Sequence, residues 1–151
     1  MKIPININII TEKIQNAFNE HDEVEVIESK AFGFMRKTKK GLQLEYMEDE
    51  ESGFDGTITT ISMLDNEMIS VNRQGVLNSH MIFQKGKSHN CVYDNGIIPM
   101  ELRISTKELK NNISTLGGKL DIHYTIEIIG GYSEKNRLTL SVAPHESIIT
   151  S

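Results

Sequence analysis

Alternation of apolar and polar residues at every second position confines a segment to β-strand, because only a two-residue period keeps one face apolar. The chain does this repeatedly. Leu120, Ile122, Tyr124, Ile126 and Ile128 share one face, as do Leu138, Leu140 and Val142. Ile98, Met100, Leu102 and Ile104 form a third such set, and Ile3, Ile5, Ile7 and Ile9 a fourth. Shorter runs follow the same rule: Leu42, Leu44 and Tyr46; Ile69 and Val71; Leu77, Met81 and Phe83 with Ser79. Between the runs stand turn formers: Gly41, Ser52-Gly53, Asp65-Asn66, Gln74-Gly75, Lys85-Gly86, Asp94-Asn95-Gly96, Gly117-Gly118 and Gly130-Gly131. The Asn-Gly pair supplies the positive φ values of a tight hairpin turn.

About eight to ten short strands with no helices between them predict an all-β fold, a single closed antiparallel meander β-barrel, since closure removes the edges that an open sheet exposes. The barrel domain is expected over 1–143 and a frayed tail over 144–151. Long bent strands suit closure. The second strand begins at Glu23-Val24-Glu25-Val26, where Ile27 breaks the alternation and suggests a β-bulge or sharp bend, and Gly33 offers another place to curve. Phe54 to Leu64 reads as strand from Thr57, Thr59 and Thr60. Two segments are open between helix and strand. Thr11 to Phe18 has Ile14, Ala17 and Phe18 at helical spacing, and Ser105 to Leu116 has a Ser-x-x-Glu cap followed by Leu109, Ile113 and Leu116. Either could form one short helix plugging a barrel end.

Composition excludes more than it assigns. A net charge of −5 over 151 residues argues against nucleic acid and against an anionic membrane surface, because both are held by Lys and Arg neutralising phosphate. The basic cluster Arg36-Lys37-Thr38-Lys39-Lys40 is followed by the acidic run Glu48-Asp49-Glu50-Glu51, and such blocks ordinarily solvate strand ends. The single cysteine, Cys91, rules out an intramolecular disulfide and reads as a small structural thiol. With no apolar leader in Met1-Lys2-Ile3-Pro4 and no run of about 20 apolar residues, the expected location is the cytoplasm. The 21 Ile, 12 Asn and 12 Lys are the composition of an AT-rich genome and point to a bacterial source. His21, His80, His89, His123 and His145 are scattered, with no metal-ligand spacing, so no metal and no cofactor are expected. His80 and His123 fall on the solvent face. The Gly pairs are hairpin turns, since no Lys-Ser/Thr helix start follows them.

The anomaly is polar residues in the apolar phase. Counting by twos from Leu42 and Leu44 reaches Tyr46 and then Glu48, while counting from Ile69 and Val71 reaches Arg73. Thr106 follows Ile104 in phase, and Tyr124 sits between Ile122 and Ile126. A lone buried charge is costly, so Glu48 and Arg73 are expected to lie close enough to interact.

The stretch from Leu44-Glu45-Tyr46-Met47-Glu48 through Gly56-Thr57, Val71-Asn72-Arg73-Gln74-Gly75, Met81-Ile82-Phe83, Val92-Tyr93-Asp94, Leu102-Arg103-Ile104-Ser105-Thr106 and Gly118-Lys119-Leu120-Asp121-Ile122-His123-Tyr124 resembles the YwiB-like family of small bacterial proteins. The resemblance covers nearly the whole chain in order. It departs after Tyr93, where Asp94-Asn95-Gly96-Ile97-Ile98-Pro99 replaces an expected Thr and aromatic-Gly pair. It implies a calycin-like barrel of the lipocalin and fatty-acid-binding type and brings no chemistry with it.

Three classes of function stay open. In the first, Arg73, Glu48, Tyr46, Tyr124 and Thr106 line a pocket for a small, partly apolar acidic ligand, with Met35, Met63, Met68, Met81 and Met100 as a deformable lining. In the second the ion pair closes one barrel rim and the filled barrel serves structure or an unnamed protein partner. An enzyme ranks last, with Glu48 its only candidate acid or base.

Overall fold

The computed structural model describes residues 2–16, 22–50, 53–65, 67–128 and 131–145. Ten strands follow one another: β1 (Ile3–Asn16), β2 (Asp22–Thr38), β3 (Gly41–Met47), β4 (Ile58–Asp65) and β5 (Met68–Gln74). Then come β6 (Asn78–Gln84), β7 (Ser88–Asp94), β8 (Met100–Asn111), β9 (Gly118–Ile128) and β10 (Tyr132–Pro144). Each pairs antiparallel with its neighbours in sequence, and β10 closes the ring on β1. No helix occurs among the described residues, and none is long and apolar enough to cross a membrane.

Both segments open between helix and strand are strand. β1 pairs continuously with β2 from Ile3↔Met35 to Asn16↔Asp22, so Thr11 to Asn16 is extended; Ala17 and Phe18 lie outside the described residues. In β8 a register shift between Thr106 and Glu108 inserts one extra residue. The inward series Leu102, Ile104, Thr106 therefore resumes at Leu109, and this step of three imitates helical spacing. The expected cap residues face elsewhere: Ser105 Oγ bonds Ser88 Oγ at 2.7 Å, and Glu108 meets Lys85 at 3.7 Å.

Four further expectations change. The uninterrupted β1–β2 register excludes a bulge at Ile27, which points inward while Val24, Val26, Phe32 and Phe34 are exposed outside. Ile98 is 67 % exposed, because the last β7–β8 pair is Tyr93↔Met100 and Pro99, with no N–H, cannot extend the ladder. β4 starts at Ile58, leaving Phe54 to Thr57 in the preceding loop. Ala143 and Pro144 are paired with Asn6 and Ile5, while 146–151 lie outside the described residues.

The core occupies one half of the barrel. Ile5, Ile7, Met35, Leu44, Ile69, Ile104, Leu120 and Ile122 are fully buried there, and Ile61, Phe83 and Leu140, equally buried, stand at its border with the open half. Toward the other end, where the loops 48–57, 75–77 and 95–99 emerge, the inward residues Ile9, Ile126, Ile128 and Leu138 are only partly buried. The interior is filled at one end and open at the other.

Candidate functional site

The open half encloses a cavity of about 260 Å³. Its walls are aliphatic and aromatic, among them Ile9, Ile27, Ile61, Val71, Met81, Phe83, Ile126, Leu138 and Leu140. Two rows of polar side chains interrupt them, and cross-strand register accounts for both.

The first row runs across five adjacent strands. Tyr46 on β3 pairs with Thr59 on β4, Thr59 with Arg73 on β5, Arg73 with Ser79 on β6, and Ser79 with Tyr93 on β7. Tyr46 is seated by Gly33, its β2 partner: a Cβ there would run into the Glu45 carbonyl and stand 2.9 Å from the Tyr46 Cβ. Glu48 follows one step beyond β3. Its N–H donates to the Thr57 carbonyl at 2.8 Å, and its Oε1 accepts the Thr59 hydroxyl at 2.7 Å. Arg73 Nε stands 3.8 Å from that same oxygen, with side-chain exposures of 22 % for Arg73 and 5 % for Glu48. This is charge pairing at a distance too long for a hydrogen bond. Arg73 Nε is buried and has no hydrogen-bond partner among the described residues.

The mouth is pinned above Arg73. The β3–β4 loop carries Phe54, whose ring lies 5.8 Å from the guanidinium carbon. Thr57 Oγ1 accepts the Leu77 N–H at 3.2 Å, tying that loop to the β5–β6 turn. Gly75, at φ 143°, packs so closely that a Cβ would collide with the Gly56 carbonyl.

The second row crosses the opposite wall. Thr106 on β8 pairs with Tyr124 on β9, Tyr124 with Asn136 on β10, and Asn136 with Lys13 on β1. Tyr124, Asn136, Lys13 and also Glu134 line the cavity. Thr106 does not: it is buried in the wall, its carbonyl accepting the Gly86 N–H at 2.9 Å and its N–H donating to Lys87 at 3.1 Å. It fastens the β6–β7 turn to the β8 bulge. Of the five site residues expected from sequence, four therefore face one cavity and Thr106 stands behind it. Met81 alone of the five expected methionines lines it.

Tyr46, Tyr93 and Tyr124 converge on this space, and burial shapes all three. It raises the Tyr46 hydroxyl well above its usual value, with the Glu48 carboxylate adding to the effect and Arg73 opposing it. The Tyr124 hydroxyl is pushed up to about 12, chiefly by burial, with Glu134 adding to that rise and Arg73 resisting it. Tyr93 is raised by burial against Arg73. At neutral pH all three stay protonated; Tyr93 and Tyr124 can donate to a bound anion, while the Tyr46 hydroxyl donates to Glu48.

Tyr93, Phe54, Asn136, Lys13 and Glu134 went unmarked in the sequence. Asn136 and Glu134 extend the phase of Leu138 and Leu140 backward and were within reach of counting by twos. Phe54 comes from a loop that carries no periodic signal. Cys91 is buried in the core as a free thiol, its pKa raised by burial. Among the described residues no group of three or more His, Cys, Asp or Glu side chains is placed to hold a metal.

Residues 8–140 match the family described as Domain of unknown function (DUF1934). The chain belongs to that family. It is 24 % identical over 132 residues to the "Uncharacterized beta-barrel protein YwiB" of Bacillus subtilis (strain 168), spanning 87 % of this chain and 91 % of that protein. The crystal structure of the ywiB protein from Bacillus subtilis superposes with a TM-score of 0.63 at 17 % identity, covering 96 % of this chain and 94 % of that one. The likeness confirms a YwiB-like fold for the DUF1934 chain.

Proposed function

We propose that this DUF1934 barrel is a binding protein that takes up a small, partly apolar acid, carboxylate toward Arg73 and apolar body against the aliphatic wall. The observation that carries it is the unfilled interior lined by Arg73, whose buried Nε has no hydrogen-bond partner among the described residues. Arg is suited to carboxylate because its planar fork presents parallel donors. Glu48 stands 3.8 Å from the Arg73 Nε, beyond hydrogen-bond distance, with the Thr59 hydroxyl on the same oxygen, so the Nε–H is left for the acid. Tyr93 and Tyr124, which line the same cavity, add donors beside Arg73. The cavity equals the volume of about nine liquid waters, which sets the ligand near ten non-hydrogen atoms. A cytoplasmic setting agrees with a buried thiol left unpaired, and the acidic balance argues against nucleic acid or an anionic membrane as partner.

The test is titration with hexanoate followed by thermal shift and calorimetry. Saturable binding to the native protein, lost in Arg73→Met with the fold intact, is the expected result. Absence of binding to the native protein, or equal binding by Arg73→Met, would overturn the reading. The alternative, an interaction module, is favoured by one feature, the exposed Phe32–Phe34 pair on β2, and predicts a second chain and no small molecule in native mass spectrometry.

A further inference from the structure

The wall opposite Arg73 carries a second polar feature that an acid with a purely apolar body leaves unused. Asn136 is 4 % exposed, lines the cavity, and has neither its amide oxygen nor its amide nitrogen hydrogen-bonded among the described residues. An unsatisfied buried amide is costly, and here both the donor and the acceptor of one group are unsatisfied. In phase along β10 Asn136 stands between Glu134 and Leu138, its cross-strand partners are Tyr124 and Lys13, and none of these side chains bonds its amide. The ionisable groups facing this side are Lys13, Glu134 and Tyr124.

We infer that Asn136 forms a second subsite, which recognises an amide edge on the far end of the acid that Arg73 binds. A carboxamide side chain presents one donor and one acceptor side by side, and its complement is a group offering one acceptor and one donor in the same spacing. A primary amide, a lactam or an imide edge meets that description. A ketone, an ester or an alkyl end does not, because each leaves at least one Asn136 atom unpaired. The ligand class is thus an acid bearing a terminal amide, held head to tail across an aliphatic middle. The inference rests on the acid-binding reading above and narrows it.

The experiment uses the ω-amide monoacids from succinamate to suberamate, each against its methyl-ketone isostere and against hexanoate, on the native protein and on Asn136→Leu. At the best chain length the amide is expected to bind about tenfold more tightly than the ketone, the value of one hydrogen bond lost with its partner left buried. Asn136→Leu should erase or invert that preference, keep hexanoate binding, and raise the unfolding midpoint of the ligand-free protein, since it removes two unsatisfied atoms. Equal binding of amide and ketone with hexanoate bound overturns the amide subsite and leaves the acid site standing. A lowered midpoint in Asn136→Leu also overturns it, because the amide would then be structural. Failure of every acid to bind removes both readings.

Discussion

The two halves of this barrel are built from the same strands and obey opposite rules. In the closed half the inward positions of β1, β3, β5 and β9 are Ile5 and Ile7, Leu44, Ile69, and Leu120 and Ile122, all fully buried. In the open half the same strands turn Lys13, Tyr46, Arg73 and Tyr124 inward around an unfilled space. The difference separates folding from binding along one axis: the aliphatic half supplies burial, and the polar half gives up packing to present donors.

The largest effect should come from cutting the closed half. Ile122→Ala is expected to cost about 2–5 kcal/mol in chemical unfolding, since the packed site cannot collapse onto the hole. A loss below about 1 kcal/mol would show that the two halves do not differ in packing.

In the open half the sharpest probe is alkaline. The folded-state pKa of Tyr124 is raised from 10.0 to about 12 because burial disfavours the phenolate. The unfolded chain releases this proton first, so the stabilisation is present below pH 10 and is lost as pH rises toward 12. Stability measured across that window should fall by on the order of 2 kcal/mol more in the native protein than in Tyr124→Phe. Parallel curves would place Tyr124 in water.

Next comes the charge pair. Removing Glu48 from a wholly buried pair would cost about 3–5 kcal/mol, but Arg73 reaches the cavity and remains 22 % exposed, so Glu48→Gln is expected to cost about 1–3 kcal/mol. The joint change Glu48→Gln, Arg73→Met should recover most of it. A double variant no better than Glu48→Gln alone would show that the carboxylate serves Thr59 and Tyr46, not Arg73.

The smallest effect lies outside the barrel, where Arg137 donates two hydrogen bonds to Asp121, at 3.1 and 3.0 Å. These hold the Asp121 carboxyl below its ordinary 3.8. Its contribution is present above that value and is lost as pH falls through the folded-state value, with screening at the exposed Arg137 keeping it small. Arg137→Leu should slightly flatten the acid limb of a stability profile and leave ligand uptake unchanged.

Counting by twos brought out the inward placement of Glu48, Arg73, Tyr46 and Tyr124 because β3, β5 and β9 keep their own two-residue alternation, the extra residues at the register shifts falling on β4 and β8. It failed where the pattern is inverted or stepped. β2 shows Val24, Val26, Phe32 and Phe34 to solvent, so its apolar residues misreport its inner face, which carries Ile27 and Ser29. The β8 bulge turned a strand into a helical spacing. A barrel's diameter grows with strand number, but the same ten strands fill one half and leave the other open, so the size and placement of the inward side chains decide where the interior is open. Turn signals alone did not distinguish eight from ten.

The ring is shut by the pairing of its first and last strands, from Ile5↔Pro144 to Ile14↔Lys135. Loop-closure entropy over nearly the whole chain must therefore be met before that seam forms, which puts closure late in folding and makes it slow. During synthesis β1 waits with an open edge until the last strand emerges, and that strand brings Asn136, Leu138 and Leu140 with it. The nascent chain has no cavity to offer a ligand until its final strand is in place, and until then its exposed edge invites pairing with another copy.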